Sequence, residues 1–435
     1  MLTGSWPPRK RLSVAAVAIT IIIVFTTISN LHYRSSNSVM KLRLPPYNKG
    51  NDPTKAETVG NTTLLELLAP SYIKAILDPK DKEFDRLQCP APTPKRYDYL
   101  QVDRSDAKNV GGQIKYFFAL NLRQCISILP RLMGSIVETV RFLGPENCGL
   151  SIVEGNSDDG TLEILAALRK DMGSLGLEFH FQTSDIDPKN GDRIEALAAL
   201  RNLALEPLIN NPSHYSPDTA VIFLNDVAIC MDDILELVHQ RVYQEADMIC
   251  ALDWSDIDPP IFYDIWVARA INGDTFWEIP MDGGWRFASN LFWNHPPSRQ
   301  RYDEHKAFQV FACWNGAVVF SAKPIIQNKI RFRRSKPDEC FAGEPRLFCK
   351  DLWIEGYSKI AVVPSVNLGY SDKSTTKVKE LHGRVSEAVK GEDIYDGSLR
   401  IVWNTKPPEQ IKCMASFEDH SWVPWNQGFE TKSLM

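Results

Sequence analysis

Short runs of apolar residues alternate with segments of helical apolar spacing, and the alternation becomes regular from about residue 113. Runs of branched or aromatic residues predict buried strands, and segments with a period of about 3.6 residues predict helices. The predicted strands are Ile114–Leu120, Leu150–Val153, Leu177–Phe181, Val221–Leu224, Met248–Leu252, Val318–Phe320 and Ile360–Val366. The predicted helices are Leu64–Leu77, with a break at Pro70, and Ile126–Leu143, Leu162–Met172, Arg193–Leu208 and Ile234–Tyr243.

The order of these elements indicates the fold class. Strands that alternate with helices predict an α/β domain with a Rossmann-related, mostly parallel sheet and helices on both of its faces. Ligands of such sheets bind at the carboxyl ends of the strands. Polar residues that directly follow a predicted strand are therefore the first candidates for a functional site.

An uncharged apolar segment near the N-terminus predicts a membrane anchor. Three basic residues precede the run Leu12–Ile28, and residues 12–31 form a stretch of about 20 residues, long enough to cross a bilayer as a helix. The basic residues place residues 1–11 in the cytosol and the rest of the chain in the lumen. The small-residue motif Ala16–Ala18 lies inside the apolar run, which favours an uncleaved signal-anchor over secretion after cleavage.

Composition divides the remainder of the chain. Residues 32–95 begin with a segment rich in Asn, Pro, Ser and Lys and are interpreted as a stem. Residues 96–405 form the predicted folded domain, and residues 406–435 a C-terminal tail. Asn61 begins the sequence Asn-Thr-Thr, an N-glycosylation acceptor that suits a surface segment of a lumenal protein.

The overall composition excludes some classes of protein and leaves others open. With 44% hydrophobic and 24% charged residues in 435, the chain is globular, and its net charge of -5 gives no indication of a nucleic-acid partner. Nine cysteines allow up to four disulfides in an oxidising lumen. The short spacing of Cys340 and Cys349 suggests a local pair. No C-x-x-C sequence is present, so a zinc ribbon is not expected.

Three acidic stretches compete for one predicted metal site. Asn225 and Asp226 follow the strand Val221–Leu224, and the pentapeptide SDIDP occurs at Ser184–Pro188 and again at Ser255–Pro259. Carboxylate oxygens are the ligands that Mg²⁺ and Mn²⁺ prefer. Asp-Pro sequences also form turns, which is the alternative interpretation of both copies. The position of Asp226 at the end of a predicted central strand favours it as the metal ligand.

A second acidic stretch follows the strand Leu150–Val153. Glu154, Asp158 and Asp159 precede a predicted helix, and an acid just beyond a strand can bind the ribose or base of a nucleotide. Aspartate also caps helices, which gives a purely structural alternative. The glycine spacing does not match G-x-G-x-x-G.

Two further groups carry charges at spacings of interest. Arg193 and Arg201 are eight residues apart on one predicted helix and could clamp a diphosphate, unless they are ordinary surface charges. Glu344 and Asp351 lie in the stretch ECFAGEPRLFCKD, where a carboxylate could act as a base or hold a hydroxyl group. Solvated acids in a disulfide loop are the alternative for this second pair.

Residues 260–312 contain many aromatic side chains mixed with polar ones, including Asp264. Core packing explains most of these rings. Carbohydrate sites also place aromatic faces beside polar groups, so this region is a candidate for sugar binding.

Several motifs together are similar to those of a known family. They are SIVEGNSDDGT, VIFLNDVAIC, DMICALDW, FYDIWVARAINGDTFWEI, WNGAVVFSAKP and ECFAGEPRLFCKDLWIEGYSKIAVVPSVNLGY. Over residues 65–405 the chain resembles the fungal capsule-type α-1,3-mannosyltransferase family, which includes the cryptococcal mannosyltransferase and capsule-associated proteins.

The resemblance implies a GT-A fold, a single-pass type II protein of the Golgi membrane, GDP-mannose as donor and Mn²⁺ as metal, with Mg²⁺ as the alternative. It implies transfer to a mannose-containing glycan with retention of configuration, through an α-1,3 linkage. Asn225 and Asp226 resemble the counterpart of the D-x-D motif, which gives Asp226 the metal and Asn225 a donor contact. Arg201 resembles part of the helix that faces the donor.

For the acceptor, we predict contacts with Asp253, Trp254, Asp264 and Trp314. Two other functions stay open at this point. The chain could be a non-catalytic factor of polysaccharide export or assembly that keeps the fold, or a transferase that uses another nucleotide sugar.

Overall fold

The computed structural model describes residues 60–101, 113–392 and 396–429, and its main feature is a nine-stranded sheet. The strands are β1 Ile114–Leu122, β2 Cys148–Glu154, β3 Glu178–Thr183, β4 Tyr215–Leu224, β5 Met248–Asp253, β6 Arg269–Ala270, β7 Phe308–Ala312, β8 Ala317–Ser321 and β9 Ile360–Leu368. Their spatial order is β3-β2-β1-β4-β8-β5-β9-β7-β6. All seven predicted strands are confirmed, whereas β6 and β7 were not predicted.

Most strands of the sheet run in one direction. β1 pairs in parallel with β2 and β4, β2 with β3, and β5 with β9. β8 is antiparallel to both β4 and β5, and β7 is antiparallel to β9. The predicted α/β fold with a mostly parallel sheet is therefore confirmed. Because β8 lies reversed between β4 and β5, those two strands end at the same edge, beside the loop that enters β8.

Helices cover both faces of this sheet, as predicted. They are α1 Thr62–Leu77, α2 Pro94–Tyr97, α3 Leu129–Leu143, α4 Thr161–Ala167, α5 Arg169–Leu175, α6 Arg193–Ala204, α7 Glu206–Asn210, α8 Met231–Tyr243, α9 Pro296–Asp303, α10 Lys323–Ile326, α11 Glu344–Ile354, α12 Asp372–His382 and α13 Val385–Ala388. Successive strand residues face opposite sides. Phe118 of β1 shares a core with α3 and α8, whereas Phe117 shares the other core with α6 and α11.

Two predicted helices are each divided in two, whereas the predicted break at Pro70 is wrong, since α1 continues through that residue. The predicted helix Leu162–Met172 corresponds to α4 and α5, which meet at Leu168. The predicted helix Arg193–Leu208 corresponds to α6 and α7, which meet at Leu205. Pro207 lies in the first turn of α7, where its missing N–H is tolerated, whereas in the interior of a continuous helix it would remove a hydrogen bond. The side chain of Asp192 caps α6 by accepting from the amides of Ile194 and Glu195.

The boundaries of the folded domain differ from the predicted ones. Residues 60–95, assigned to the stem 32–95, pack onto the sheet domain: Ile76 and Leu87 are buried in one core. The Arg86 guanidinium donates to the carbonyl of Ala75 at 2.6 Å. The predicted tail 406–435 is also folded in part, because β10 Gln410–Met414 and β11 His420–Pro424 pair as an antiparallel hairpin.

Within the three described ranges, no helix is long and apolar enough to cross a bilayer. The predicted cytosolic tail at residues 1–11 and the predicted anchor at residues 12–31 lie outside those ranges, as does the first part of the predicted stem.

Three disulfides connect segments that are distant in sequence: Cys89–Cys230, Cys250–Cys313 and Cys340–Cys413. The predicted local pair of Cys340 and Cys349 is wrong. Cys349 is a free thiol, buried because α11 turns it into the core, where its Sγ lies 3.3 Å from the carbonyl oxygen of Cys313.

The bond between Cys250 and Cys313 joins β5 to the loop that enters β8. We expect the double variant Cys250→Ala/Cys313→Ala to lower the free energy of unfolding by about 2–4 kcal/mol, because the unfolded chain regains the freedom of the closed loop. Urea denaturation measures this change. Cys148→Ala, which removes a buried free thiol, controls for the lost sulfur, and an equal loss in that variant would contradict a role for the bond.

Candidate active site

The carboxyl ends of β4 and β5 meet at the loop that enters β8. Asn225 and Asp226 follow β4, and Asp253 is the last residue of β5. The Asn225 amide donates to the carbonyl of Gly316 in that loop at 2.9 Å. Gly316 has a φ of 80°, and a Cβ there would lie 3.1 Å from Cγ1 of Val227 and 3.3 Å from Cβ of Asp253. Glycine is needed here because this backbone conformation and close approach leave no room for a side chain.

A third acid, Asp264, returns to the same edge from the segment after β5. The Tyr263 amide donates to the carbonyl of Asp253, and the Asn315 amide donates to Oδ2 of Asp264, both at 3.0 Å. Burial raises the pKa of Asp264 to about 6. Burial, followed by the charge of Asp264, raises the pKa of Asp253 well above its ordinary value. The Tyr370 hydroxyl donates to Oδ2 of Asp253 at 2.5 Å.

Asp226 completes this group, and its side chain is exposed. Surrounding protein still desolvates the carboxyl enough to raise its pKa, and the charge of Arg201 opposes that rise. The pKa of Tyr263 is raised mainly by burial, and next by the charges of Asp253, Asp264 and Asp226. Asp226 follows β4, Asp253 ends β5, and backbone hydrogen bonds return the segment of Asp264 to the same place, so the three carboxyls belong to one edge of the sheet, which we call the acidic edge.

Arg201 of α6 supplies positive charge to the acidic edge. Its Nε donates to Oε1 of Glu344 at 2.9 Å, and its guanidinium carbon lies 4.4 Å from the centroid of the Trp314 ring. The Trp314 indole donates to Oδ1 of Asn225 at 3.1 Å. A carboxylate and an aromatic face therefore hold Arg201 in one place, close enough to influence Asp226.

The two arginines of the predicted diphosphate clamp are not equivalent. Arg193, the first residue of α6, is exposed, and its charge counteracts the rise in the pKa of Tyr263. Arg193 and Arg201 are eight residues apart, about 12 Å along a helix axis. The structure therefore brings Arg201 to the acids and leaves Arg193 at the rim beside Tyr263.

The acidic loop after β2 has a largely structural role. Glu154 is fully buried, and its carboxyl accepts from the amides of Asn156 at 2.9 Å and Ser157 at 3.0 Å. The Asp159 carboxyl accepts from two backbone amides at 3.0 Å each. The predicted nucleotide contacts of Glu154 and Asp159 are therefore corrected to loop-forming roles. Asp158 is exposed and accepts from a neighbouring glutamine side chain.

The two predicted acceptor-binding tryptophans lie in the interior. Trp254 is 3% exposed, its indole donates to Oδ1 of Asn367 at 3.0 Å, and its ring stacks on His382 with centroids 3.5 Å apart. Trp314 is 1% exposed. Neither ring offers a face to a sugar, so Trp254 is corrected to a packing role and Trp314 to support of Arg201.

Asp351 is committed to a network of ion pairs. Both of its carboxylate oxygens lie 2.7 Å from the Arg333 guanidinium, which also binds Glu339. Lys350 donates to Glu339 at 2.5 Å. Asp351 lies about two turns of α11 beyond Glu344, and its predicted catalytic role is corrected to a structural one because Arg333 occupies both oxygens.

The two SDIDP copies form loops at the surface. Asp187 accepts from the amide of Lys189 at 3.0 Å, which is the local bonding of a turn. Asp258 is exposed and pairs with Lys377 at 3.3 Å. Neither copy joins the acidic edge, so the interpretation of both as turns is favoured.

The acidic edge has the chemistry that a divalent cation requires. Oδ1 of Asp253 is buried and has no hydrogen-bond partner among the described residues, while Asp226 is accessible. Such oxygen donors suit Mg²⁺ or Mn²⁺, with further ligands from a substrate or water. Cys230, Asp232 and Asp233 lie closer to one another than the acids of this edge do. They do not form a metal site, because Cys230 is in a disulfide and Asp233 is paired with a buried lysine.

Four residues of this site were not predicted from sequence. They are Tyr263, Asn315, Gly316 and Tyr370. The Asn-Gly pair before a buried apolar run indicates a tight turn, which is the one signal that was available for Asn315 and Gly316. The two tyrosines, whose rings lie 4.9 Å apart, follow no pattern that connects them in sequence.

The structure is an α/β fold in which acids and a fixed arginine gather at the carboxyl edge of the sheet, where ligands of such folds bind. The chain belongs to the family described as Cryptococcal mannosyltransferase 1, whose sequence profile matches residues 115–351. It is also 37% identical over 331 residues to the alpha-1,3-mannosyltransferase CMT1 of Cryptococcus neoformans var. neoformans serotype D, which covers 72% of this chain and 69% of the relative.

Two solved structures are more distant matches. TarS of S. aureus, residues 1–349, has 13% identity and a TM-score of 0.35, covering 66% of this chain and 68% of that one. The mannosyltransferase PcManGT of Pyrobaculum calidifontis, solved with GDP-Man and Mn²⁺, has 11% identity and a TM-score of 0.36, covering 71% and 67%.

Asp264 predicts an unusual dependence of stability on pH. The folded protein keeps this carboxyl protonated up to about pH 6, whereas the unfolded chain ionises at the ordinary value of 3.8. Ionisation therefore destabilises the native state above pH 6, and this loss disappears as the pH falls towards 4. We expect Asp264→Asn to raise the free energy of unfolding by about 1–3 kcal/mol at pH 7.5 and to have little effect near pH 4.

Denaturation at both pH values measures this effect. Asp256→Asn, a change at an exposed acid of the neighbouring loop, is the matched control and should alter stability little at either pH. A lower free energy of unfolding for Asp264→Asn at pH 7.5 would contradict the inference that the ionised Asp264 carboxylate destabilises the native state.

Proposed function

We propose that this protein is a metal-dependent transferase of GT-A fold that moves mannose from GDP-mannose to a mannose-containing glycan, with retention and through an α-1,3 linkage. The acidic edge carries the proposal, because it lies where α/β sheets bind their ligands. Membership of the cryptococcal mannosyltransferase family supports the choice of sugar.

Asp226 would hold the cation, Mn²⁺ or Mg²⁺. Of the three acids it is the exposed one, whereas burial disfavours the charged form of Asp253. When bound, the cation neutralises the negative charge that develops on the departing diphosphate. Asn225 positions Asp226, since its backbone amide and its side chain are both held by the loop that enters β8.

Arg201 would orient the diphosphate beside Asp226. Glu344 and Trp314 hold the guanidinium in place, so little side-chain freedom is lost on binding. In this proposal Glu344 is a positioning residue rather than a base. Arg193 and Asp158 are exposed at the surface and are proposed to contact outer parts of the donor.

Asp264 would receive the acceptor. Transfer joins an acceptor oxygen to the mannose carbon as the bond from that carbon to the diphosphate breaks, on the same face of the sugar, and the proton of the acceptor hydroxyl passes to the departing diphosphate. A carboxyl with a pKa of about 6 can accept a hydrogen bond from the attacking hydroxyl near neutral pH. Asp253 and the Tyr370 hydroxyl fix the position of this edge.

We also propose that the folded domain is lumenal in the Golgi and is anchored by residues 12–31. The three disulfides support an oxidising compartment. Asn61 is exposed, and its Oδ1 accepts from the Thr63 amide at 2.9 Å to cap α1. Its location at the surface suits a glycan.

The central test is the variant Asp226→Asn, which keeps the shape of the side chain and removes its charge. We expect transfer of mannose from GDP-mannose to an α-mannoside, in the presence of Mn²⁺, to fall at least a hundredfold, because one cation ligand is lost. Thermal unfolding should show an intact fold. Asp256→Asn and Asp258→Asn should retain wild-type rates, which distinguishes the proposed site from the Asp-Ile-Asp sequence of the second SDIDP copy.

Full activity of Asp226→Asn would remove this residue from the metal site. Protection against unfolding by GDP-mannose, compared with UDP and CMP sugars, identifies the donor independently of turnover. Binding of GDP-mannose by the wild-type protein without transfer to any α-mannoside would favour a non-catalytic assembly factor.

A further inference from the structure

An open cleft of about 630 Å³ lies between residues 278–287 and the hairpin of β10 and β11. Its apolar lining includes Met281, Phe287 and Trp422. These side chains are 52%, 37% and 46% exposed, which is unusual for large apolar groups gathered at one place. The volume falls within the range of small-molecule binding sites.

The polar groups of the cleft carry both signs of charge. Asp282 and Arg286 form an ion pair at 2.8 Å, and the Arg286 guanidinium lies 5.3 Å from the centroid of Phe287. Lys412 and Glu278 also line the cleft. Such a balanced set favours a neutral ligand rich in hydroxyl groups, which can bond to either sign and stack on the rings.

Aromatic contacts connect the segment that follows Asp264 to the hairpin of this cleft. Tyr263 directly precedes Asp264 in sequence. Trp266 lies two residues after Asp264, and its side chain is 39% exposed. The ring of Trp266 lies 4.9 Å from that of Phe417 in the hairpin loop. Phe417 in turn lies beside Gly283, where a Cβ would be 3.2 Å from the ring. The segment that carries Asp264 and Trp266 is therefore in contact with the hairpin loop that lies beside the cleft.

Buried contacts fix the cleft relative to the acidic edge. Arg269 is fully buried, and its Nε donates to the carbonyl of Lys412 at 2.7 Å. Its Nη1 donates to the carbonyl of Ile265 at 3.0 Å, next to Asp264. The disulfide Cys340–Cys413 fastens the same hairpin to the domain. A ligand that spans both places would find them at a set separation.

We propose that this cleft, with Phe287 and Trp422 on its two walls, binds the distal sugars of an extended α-mannose glycan whose end reaches Asp264. The proposal rests on the proposed function for the identity of the sugar. The proposed acceptor site extends from the acidic edge along Trp266 and Phe417. Trp254 and Trp314 are buried and take no part in this surface.

Binding of glycan can be measured without turnover. Calorimetric titration of the purified full chain with α-1,3-linked mannotetraose is compared with methyl α-mannoside, and the variants Trp422→Ala and Phe287→Ala are titrated with both. We expect mannotetraose to bind the wild-type protein more tightly than the monosaccharide does. Each variant should weaken the binding of mannotetraose about tenfold or more. Binding of GDP with Mn²⁺ should stay unchanged in both variants.

Three controls separate the outcomes. Leu67→Ala removes an exposed apolar side chain on α1 and should change nothing, and Trp422→Phe should keep most of the affinity. Asp226→Asn should keep the binding of mannotetraose, so failure of the proposed donor chemistry leaves this test intact. Wild-type affinity in both alanine variants, or no preference of the wild-type protein for mannotetraose, would overturn the proposal.

Discussion

The site depends on three carboxyls that are held together in a partly desolvated place, beside the fixed guanidinium of Arg201. Burial raises the pKa of Asp264, burial and then the charge of Asp264 raise the pKa of Asp253, and desolvation raises the pKa of Asp226. A fold does not gather like charges in this way for stability. Such an arrangement is typical of sites that acquire their missing positive charge from a ligand. Arg201 supplies one charge, and a divalent cation would supply the rest.

The sheet topology creates this constraint. Because β8 is inserted in reverse, β4 and β5 deliver their last residues to one edge, and the tight turn at Gly316 brings those ends together. The disulfide Cys250–Cys313 secures the turn to β5. On the other side, Arg201 is immobilised by Glu344 and Trp314. Rigid elements therefore hold the charged groups in fixed positions, which is the preorganisation that the proposed transfer from a charged donor would need.

Periodicity predicted the sheet well, since six of the seven predicted strands are fully or largely buried and consist of apolar runs, whereas β3 at the sheet edge is only partly buried. The acid after β4 could be found because it interrupts such a run. The location of Asp264 at this edge could not be predicted, since residues 254–268 have no repeating pattern. Only isolated backbone hydrogen bonds, such as that from the Tyr263 amide to the Asp253 carbonyl, return this segment to the edge. The burial of Trp254 and Trp314 could not be predicted from the sequence. The predicted pairing of Cys340 with Cys349 relied on their proximity in sequence, whereas the actual partner, Cys413, is 73 residues away.

The most direct test of the account is a crystal structure of the protein with GDP and Mn²⁺, with anomalous scattering used to locate the metal. The account predicts one Mn²⁺ peak in direct coordination of the Asp226 carboxylate, with diphosphate oxygens on the side that faces Arg201. A peak bound instead by Asp256 and Asp258, or by Asp185 and Asp187, would contradict it.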